Sequence, residues 1–161
     1  MKHYFIPAVA ILLLLTNLSA TAQQSHPQYP AVKQVIDQFF TSINTGNGEL
    51  LASLEVGGGR IQTVVQNTVG SYDFVERAWF GPDNFDADTR LTERYWSEEL
   101  LISDHLAVFW APYDLHINGT FSHCGIDLLN LVKVDGQWKI GHAMWTTQRQ
   151  GCDPSPLGPL N

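Results

Sequence analysis

Positive charge is scarce in this chain. Its 161 residues hold 9 lysines and arginines against 16 aspartates and glutamates, a formal charge of −7. That argues against nucleic acid or an anionic membrane as partner, since both need a basic face. Cysteine is nearly missing. Cys124 and Cys152 stand alone, at a spacing that does not suggest a metal site. In an oxidising compartment they could be bridged; the alternative is two unpaired thiols, one of them buried. A phosphate loop is missing as well, because Gly57-Gly58-Gly59 has no following Lys-Ser/Thr. Nothing resembles a Ser-His-Asp nucleophile motif, and there is no internal repeat or low-complexity tract. The longest apolar run, Ile6 to Leu15, is interrupted by Pro7 and is short for a membrane span.

That run instead reads as the core of a secretory signal. Lys2 and His3 precede it, and Ala20-Thr21-Ala22 offers the small residues a signal peptidase reads. No cysteine follows that site, which argues against a lipoprotein anchor; an uncleaved N-terminal anchor is the alternative. The expected organisation is a signal peptide over 1–22, a leader over 23–30, one domain over 31–150 and an extended tail over 151–161. The expected location is the periplasm or the medium. Cleavage would remove Lys2 and no acid, leaving 8 cations against 16 acids, or −8.

Apolar residues then set the elements. Val32, Val35, Ile36, Phe39, Phe40 and Ile43 recur at three- and four-residue steps and predict a helix over 31–44, entered at Pro30 and ended by Gly46 and Gly48. A short helix is predicted over 49–55, a chain break at the three glycines, a strand over 60–69, a third helix over 72–80 and a single strand over 91–103. Three long strands close the chain, joined at Asn118-Gly119 and Asp135-Gly136, dipeptides that accept the positive φ of two-residue hairpin turns. Helices followed by a mostly antiparallel sheet make an α+β layer fold.

Counting back from those turns places Asp114 opposite His123, Tyr113 opposite Cys124, Leu128 opposite Ala143 and Ile126 opposite Trp145. Alternation then puts Tyr113, Asn130 and Trp145 on an inner apolar face. It puts His116, His123, Asp127 and His142 on an outer face that a second subunit could cover. Asp114, His116 and His123 have the ligand types of a zinc or copper site, but a cross-strand ion pair is the preferred reading. His123, Asp127 and His142 could be an acid–base set, with mutual satisfaction at a subunit interface preferred. Tyr113, Asn130 and Trp145 suit polar and stacking contacts in an apolar pocket, with ordinary core as the competing reading.

The stretch "VFWAPYDLHINGTFSHCGIDLLNLVKVDGQWKIGHAMW", residues 108–145, resembles the nuclear transport factor 2-like (SnoaL-like, lumazine-binding-like) superfamily. The resemblance covers nearly all of residues 23–161. It implies a cone-shaped fold with about three N-terminal helices on a curved sheet. Ketosteroid isomerase has this fold, with an oxyanion hole made by a tyrosine and a protonated aspartate and a second aspartate as base. Lining up "INTGNGELL" and "CGIDLLNLVKV" puts Phe39 and Asn130 at the oxyanion positions, and no acid lies between Glu55 and Asp73 to act as base. That mechanism is not expected. The resemblance leaves three functions open: an exported, homodimeric binder of an apolar or aromatic small molecule, contacting it through Phe39, Tyr113, Asn130 and Trp145; a cyclase, dehydratase or isomerase using His123, Asp127 or His142; and a protein-interaction module. The binder ranks first. No cofactor is expected.

Overall fold

The computed structural model describes residues 25–160; the expected signal peptide lies outside them. Helix α1 (Tyr29–Thr45) buries the six apolar residues of its stripe. Pro30 sits in its first turn, where the missing N–H costs nothing. Gly46, at φ 65°, ends it by donating to the Ile43 carbonyl. Helix α2 (Gly48–Ser53) starts at Asn47, whose side chain accepts the Leu50 N–H at 2.9 Å. No third helix forms among the described residues.

Seven strands follow: β1 (Glu55–Gln66), β2 (Tyr72–Ala78), β3 (Leu91–Tyr95), β4 (Glu99–Ile102), β5 (Leu106–Ile117), β6 (Thr120–Val134) and β7 (Gln137–Thr147). They form one sheet in the order β2-β1-β7-β6-β5-β3, with β4 also on β5. The β1–β7 pair is parallel and the others are antiparallel. The α1 stripe packs on this sheet against Phe109, Leu129, Leu131 and Ile140, the centre of the core.

Residues 72–80 were expected to be helical because Phe74, Val75, Ala78 and Trp79 fit a helical stripe. They form strand β2 instead. Asn67 closes a tight turn by accepting the N–H groups of Val69 and Ser71, and Tyr72–Ala78 then pairs residue by residue with β1. Strand pairing satisfies backbone groups that the short stripe could not outweigh. The three glycines do not break the chain. They absorb an irregularity inside β1, where Glu55 pairs with Ile140 and Arg60 with His142. The single strand over 91–103 is two strands. Pro112 has no N–H for a ladder there, and the chain bends at Ser97, φ 49°, before pairing resumes at Glu99.

The largest correction concerns register. Both predicted turns form, pairing Ile117 with Thr120 and Val134 with Gln137. Each hairpin, however, carries one extra residue further along. Ser122 is skipped between the pairs His116–Phe121 and Leu115–His123. Gly141 is skipped between Leu131–Ile140 and Asn130–His142. Each bulge shifts the pairing by one, and one residue of shift exchanges the faces. Asp114 therefore lies opposite Cys124, Tyr113 opposite Gly125, and Asp127 opposite Trp145. His123, Asp127, Leu129 and Leu131 turn inward, whereas Asn130 turns outward.

Candidate functional site

An apolar cavity of about 260 Å³ opens between α1 and the concave face of the sheet. Helix α1 contributes Phe39 and Ile43, and the segment after β2 contributes Phe80 and Phe85. Strands β5 and β7 add Tyr113 and Trp145. The polar groups facing it are few: Arg77 from β2, Glu93 from β3, His123 and Asp127 from β6, Thr147 at the end of β7 and Arg149 just beyond it.

Of the ligand contacts expected from sequence, Phe39, Tyr113 and Trp145 line this cavity. Asn130 does not; it pairs with Val108 and His142 on the outer side, because β6 is inverted by the bulges. The oxyanion position assigned to Asn130 is therefore not in the cavity, and the inward acid is Asp127, three residues earlier. Of the acid–base candidates, His123 and Asp127 were assigned outward and stand inside. His142 is exposed on the outer face, paired across to Asn130 and Arg60.

Asp127 is 4% exposed. Glu93 lines the same cavity, and the two carboxyls act on each other there. Two carboxyls can bond to each other only if one carries a proton. Burial pushes Glu93 up to about 7. Burial first, then the Glu93 charge and the bond to it, hold Asp127 well above the usual carboxylate range. Glu93 keeps some accessible area because it faces the cavity itself. Asp127 Oδ2 is buried with no donor in reach. Both shifts run in the direction that favours the protonated form.

His123 lies on the same strand face four residues away, roughly 13 Å along a regular strand, so it forms no dyad with Asp127. Its Nδ1 is 2.9 Å from Ser122 Oγ, and its ring meets Tyr113 edge-on at 5.8 Å. Burial, aided by the Arg149 charge, lowers it to about 4. It is a neutral imidazole at pH 7, able to donate or accept one hydrogen bond. Tyr113, 2% exposed, donates to the Thr146 carbonyl at 2.8 Å, and its hydroxyl is pushed up by burial. Gly125 makes room for this arrangement: a Cβ there would stand 1.9 Å from the Thr146 carbonyl oxygen.

The outer face holds a second cluster. Arg94 donates to both Asp114 oxygens, from Nε at 2.9 Å and Nη2 at 2.6 Å, and from Nη1 to the Gly158 carbonyl at 2.9 Å. His116 Nδ1 lies 3.7 Å from Asp114. Cys124 and Cys152 are bridged, with Cα atoms 6.0 Å apart, so the tail is fastened over this cluster. His123 is on the other side of the sheet, and the three residues weighed as metal ligands do not converge.

Glu93, Arg77 and Arg149 were not singled out from sequence. Arg77 fell in the segment read as a helix, and Arg149 beyond the last strand. Glu93 alternates with Leu91 and Tyr95, which does mark it as sharing their face, but Arg94 puts a charge on the other face too.

No family model matches the chain, and no curated protein does. Solved structures do match. A nuclear transport factor 2-like protein with a cystatin-like fold from Novosphingobium aromaticivorans is 14% identical, covering 86% of this chain and 92% of that chain, with TM-score 0.57. A candidate scytalone dehydratase from the same organism is 15% identical over 83% and 93%, with TM-score 0.54. The beta subunit of a candidate aromatic-ring-hydroxylating dioxygenase, also from that organism, is 10% identical over 89% and 99%, with TM-score 0.58. At these identities the likeness is one of fold. The chain has the nuclear transport factor 2-like fold, as its sequence implied.

Proposed function

We propose that the cavity binds a small, largely apolar molecule and performs acid–base chemistry on it, of the dehydratase, isomerase or cyclase kind. This reverses the ranking of binder over enzyme. The observation that carries it is the placement of two acids, Glu93 and Asp127, and one imidazole, His123, on the wall of a single aromatic cavity, with burial raising both carboxyls and lowering the imidazole. A buried acid that holds its proton at pH 7 can give it to a developing oxyanion or a departing hydroxyl. The carboxylate left behind can take a proton from an adjacent C–H, so that proton counts balance over a cycle. His123, at the other end of the cavity, would orient a polar group by a neutral hydrogen bond. Dehydratase and isomerase candidates occur among solved structures of this fold, which favours the class without fixing a substrate.

The test is exchange of α C–H protons for deuterium in a panel of cyclic enones and β-hydroxy ketones, followed by NMR. The protein should exchange at least one member, and Asp127→Asn should slow that exchange by about 100-fold, within the range for a lost general acid or base. Equal rates in the two proteins, or no exchange across the panel, would refute the reading.

Export from the cell belongs to the same proposal. It is supported by the residues of the N-terminal run and by the Cys124–Cys152 bridge, a bond that persists in oxidising compartments. A homodimer through the outer sheet face is proposed too, on the part that the tail leaves uncovered around Trp110, which is 38% exposed. Light scattering of the purified protein would test it.

A further inference from the structure

Arg77 and Arg149 contribute two positive charges to the wall of the cavity. Burial favours the protonated form of both carboxyls there, and His123 is neutral. Two guanidinium groups thus stand at one cavity of a protein whose formal charge is −7. Among the described residues neither guanidinium has a carboxylate partner, whereas Arg60 and Arg94 are paired with Glu76 and Asp114. Both arginines are solvent-exposed at the edge of the cavity, so their guanidinium groups are open to a ligand.

The placement of Arg77 adds to this. Its guanidinium carbon is 4.6 Å from the centre of the Phe80 ring and 5.7 Å from that of Trp145. Those two rings are parallel within 3°, with centres 6.4 Å apart. Resting on aromatic faces fixes the direction of the guanidinium while leaving its N–H fork free, the geometry that receives a carboxylate in two parallel hydrogen bonds. A cavity of about 150 Å³ already takes up benzene; this one, at about 260 Å³, has room for two fused rings.

We propose that the ligand of this cavity is an aromatic or similarly planar organic acid, its ring among Phe39, Phe80 and Trp145 and its anionic group at the mouth with Arg77 and Arg149. The inference rests on the acid–base reading above and names the substrate class for the same site. An acidic protein that takes an anionic ligand must concentrate positive potential locally, and these two unpaired arginines do so.

The test uses 2-naphthoate and its neutral, equally shaped amide, 2-naphthamide, in calorimetric titrations of the purified protein at pH 7. Neither probe needs to react, so binding is read apart from catalysis. The naphthoate should bind about tenfold more tightly, the scale of one charge-assisted hydrogen bond. Arg77→Gln and Arg149→Gln should each reduce that preference and leave the amide unaffected. Equal binding of the two probes would overturn the anion preference while sparing the cavity as a binding site. A preference that survives in the double variant would also overturn it. Failure of both probes to bind would overturn this inference together with the small-molecule reading. The wild-type comparison stands even if a variant does not fold.

Discussion

Asp114 and Asp127 stand on neighbouring strands, on opposite faces of one sheet. Both are 4% exposed. Asp114 receives two hydrogen bonds from Arg94, and its cluster is roofed by the protein's own tail. Asp127 receives no cation; its companion is a second carboxyl, and the roof over it is an open cavity. Equal burial thus leads to unlike chemistry. Where a guanidinium is supplied, the carboxylate is a structural anchor; where it is withheld, the group keeps its proton and can exchange it. The two arginines that line the same cavity are solvent-exposed, where a ligand would meet them.

The contrast predicts opposite responses to losing a partner. Arg94→Met should destabilise most, by about 3–5 kcal/mol in urea unfolding, since it strands a buried carboxylate. Asp127→Asn should cost less than about 1 kcal/mol or even stabilise at pH 7, because it removes a group whose ionised form burial disfavours. Similar losses in both variants would erase the distinction.

Reducing the bridge, or Cys152→Ser, should cost about 3 kcal/mol from the loop of 28 residues that it closes. It should release the tail from Arg94 and leave probe binding in the cavity unchanged. Chemical denaturation with and without reductant gives the first number, and calorimetry the second.

The pH dependence is a finer test. Glu93 and Asp127 have folded pKa values above their unfolded ones, so their contribution is fully present below about pH 4 and is lost as pH rises, through about 7 for Glu93. His123 acts in the other direction. Its folded value is lowered to about 4, so stability falls as pH drops from about 6.5 towards 4. Glu93→Gln should therefore flatten a decline that runs from about pH 4.5 up to about 7, and His123→Gln the opposing rise between about pH 4 and 6.5, so the two variants differ in the sign of the slope they remove. Unfolding curves at half-unit pH steps would show whether the two slopes separate in this way.

Smallest are the local controls. Tyr113→Phe removes the bond to the Thr146 carbonyl and should cost about 1 kcal/mol. His142→Gln, on the exposed outer face, should change neither stability nor probe binding beyond error. An effect of His142→Gln on binding would return it to the site.

Much of the fold was legible from local pattern. The α1 stripe, the helix end at Gly46 and the two hairpin turns depend on residues within a few positions of each other, and all formed. The site was legible only in composition. His123 and Asp127 were recognised as chemical residues and then placed on the wrong side, because a turn fixes register only until the first bulge. Gly141, inside an otherwise regular strand, was a readable sign of one bulge; Ser122 gave none. Strand β6 disguised the inversion further, since Leu129 and Leu131 alternate with Ile126 and Leu128 and both faces look half apolar. Glu93 reaches Asp127 from a strand that is not adjacent to β6, a contact no spacing along the chain encodes.

The sequence by itself determined the first two helices, the two hairpin turns, the acidity of the chain and the supply of two cysteines, because each follows from neighbours along the backbone or from simple composition. Tertiary structure decided which carboxyl met an arginine and which stood with another carboxyl, that the cysteines were joined, and that two arginines line the cavity. Strand alternation has a period of two, so a single inserted residue exchanges inside for outside over the rest of the pairing, and only the closed sheet records where that residue went.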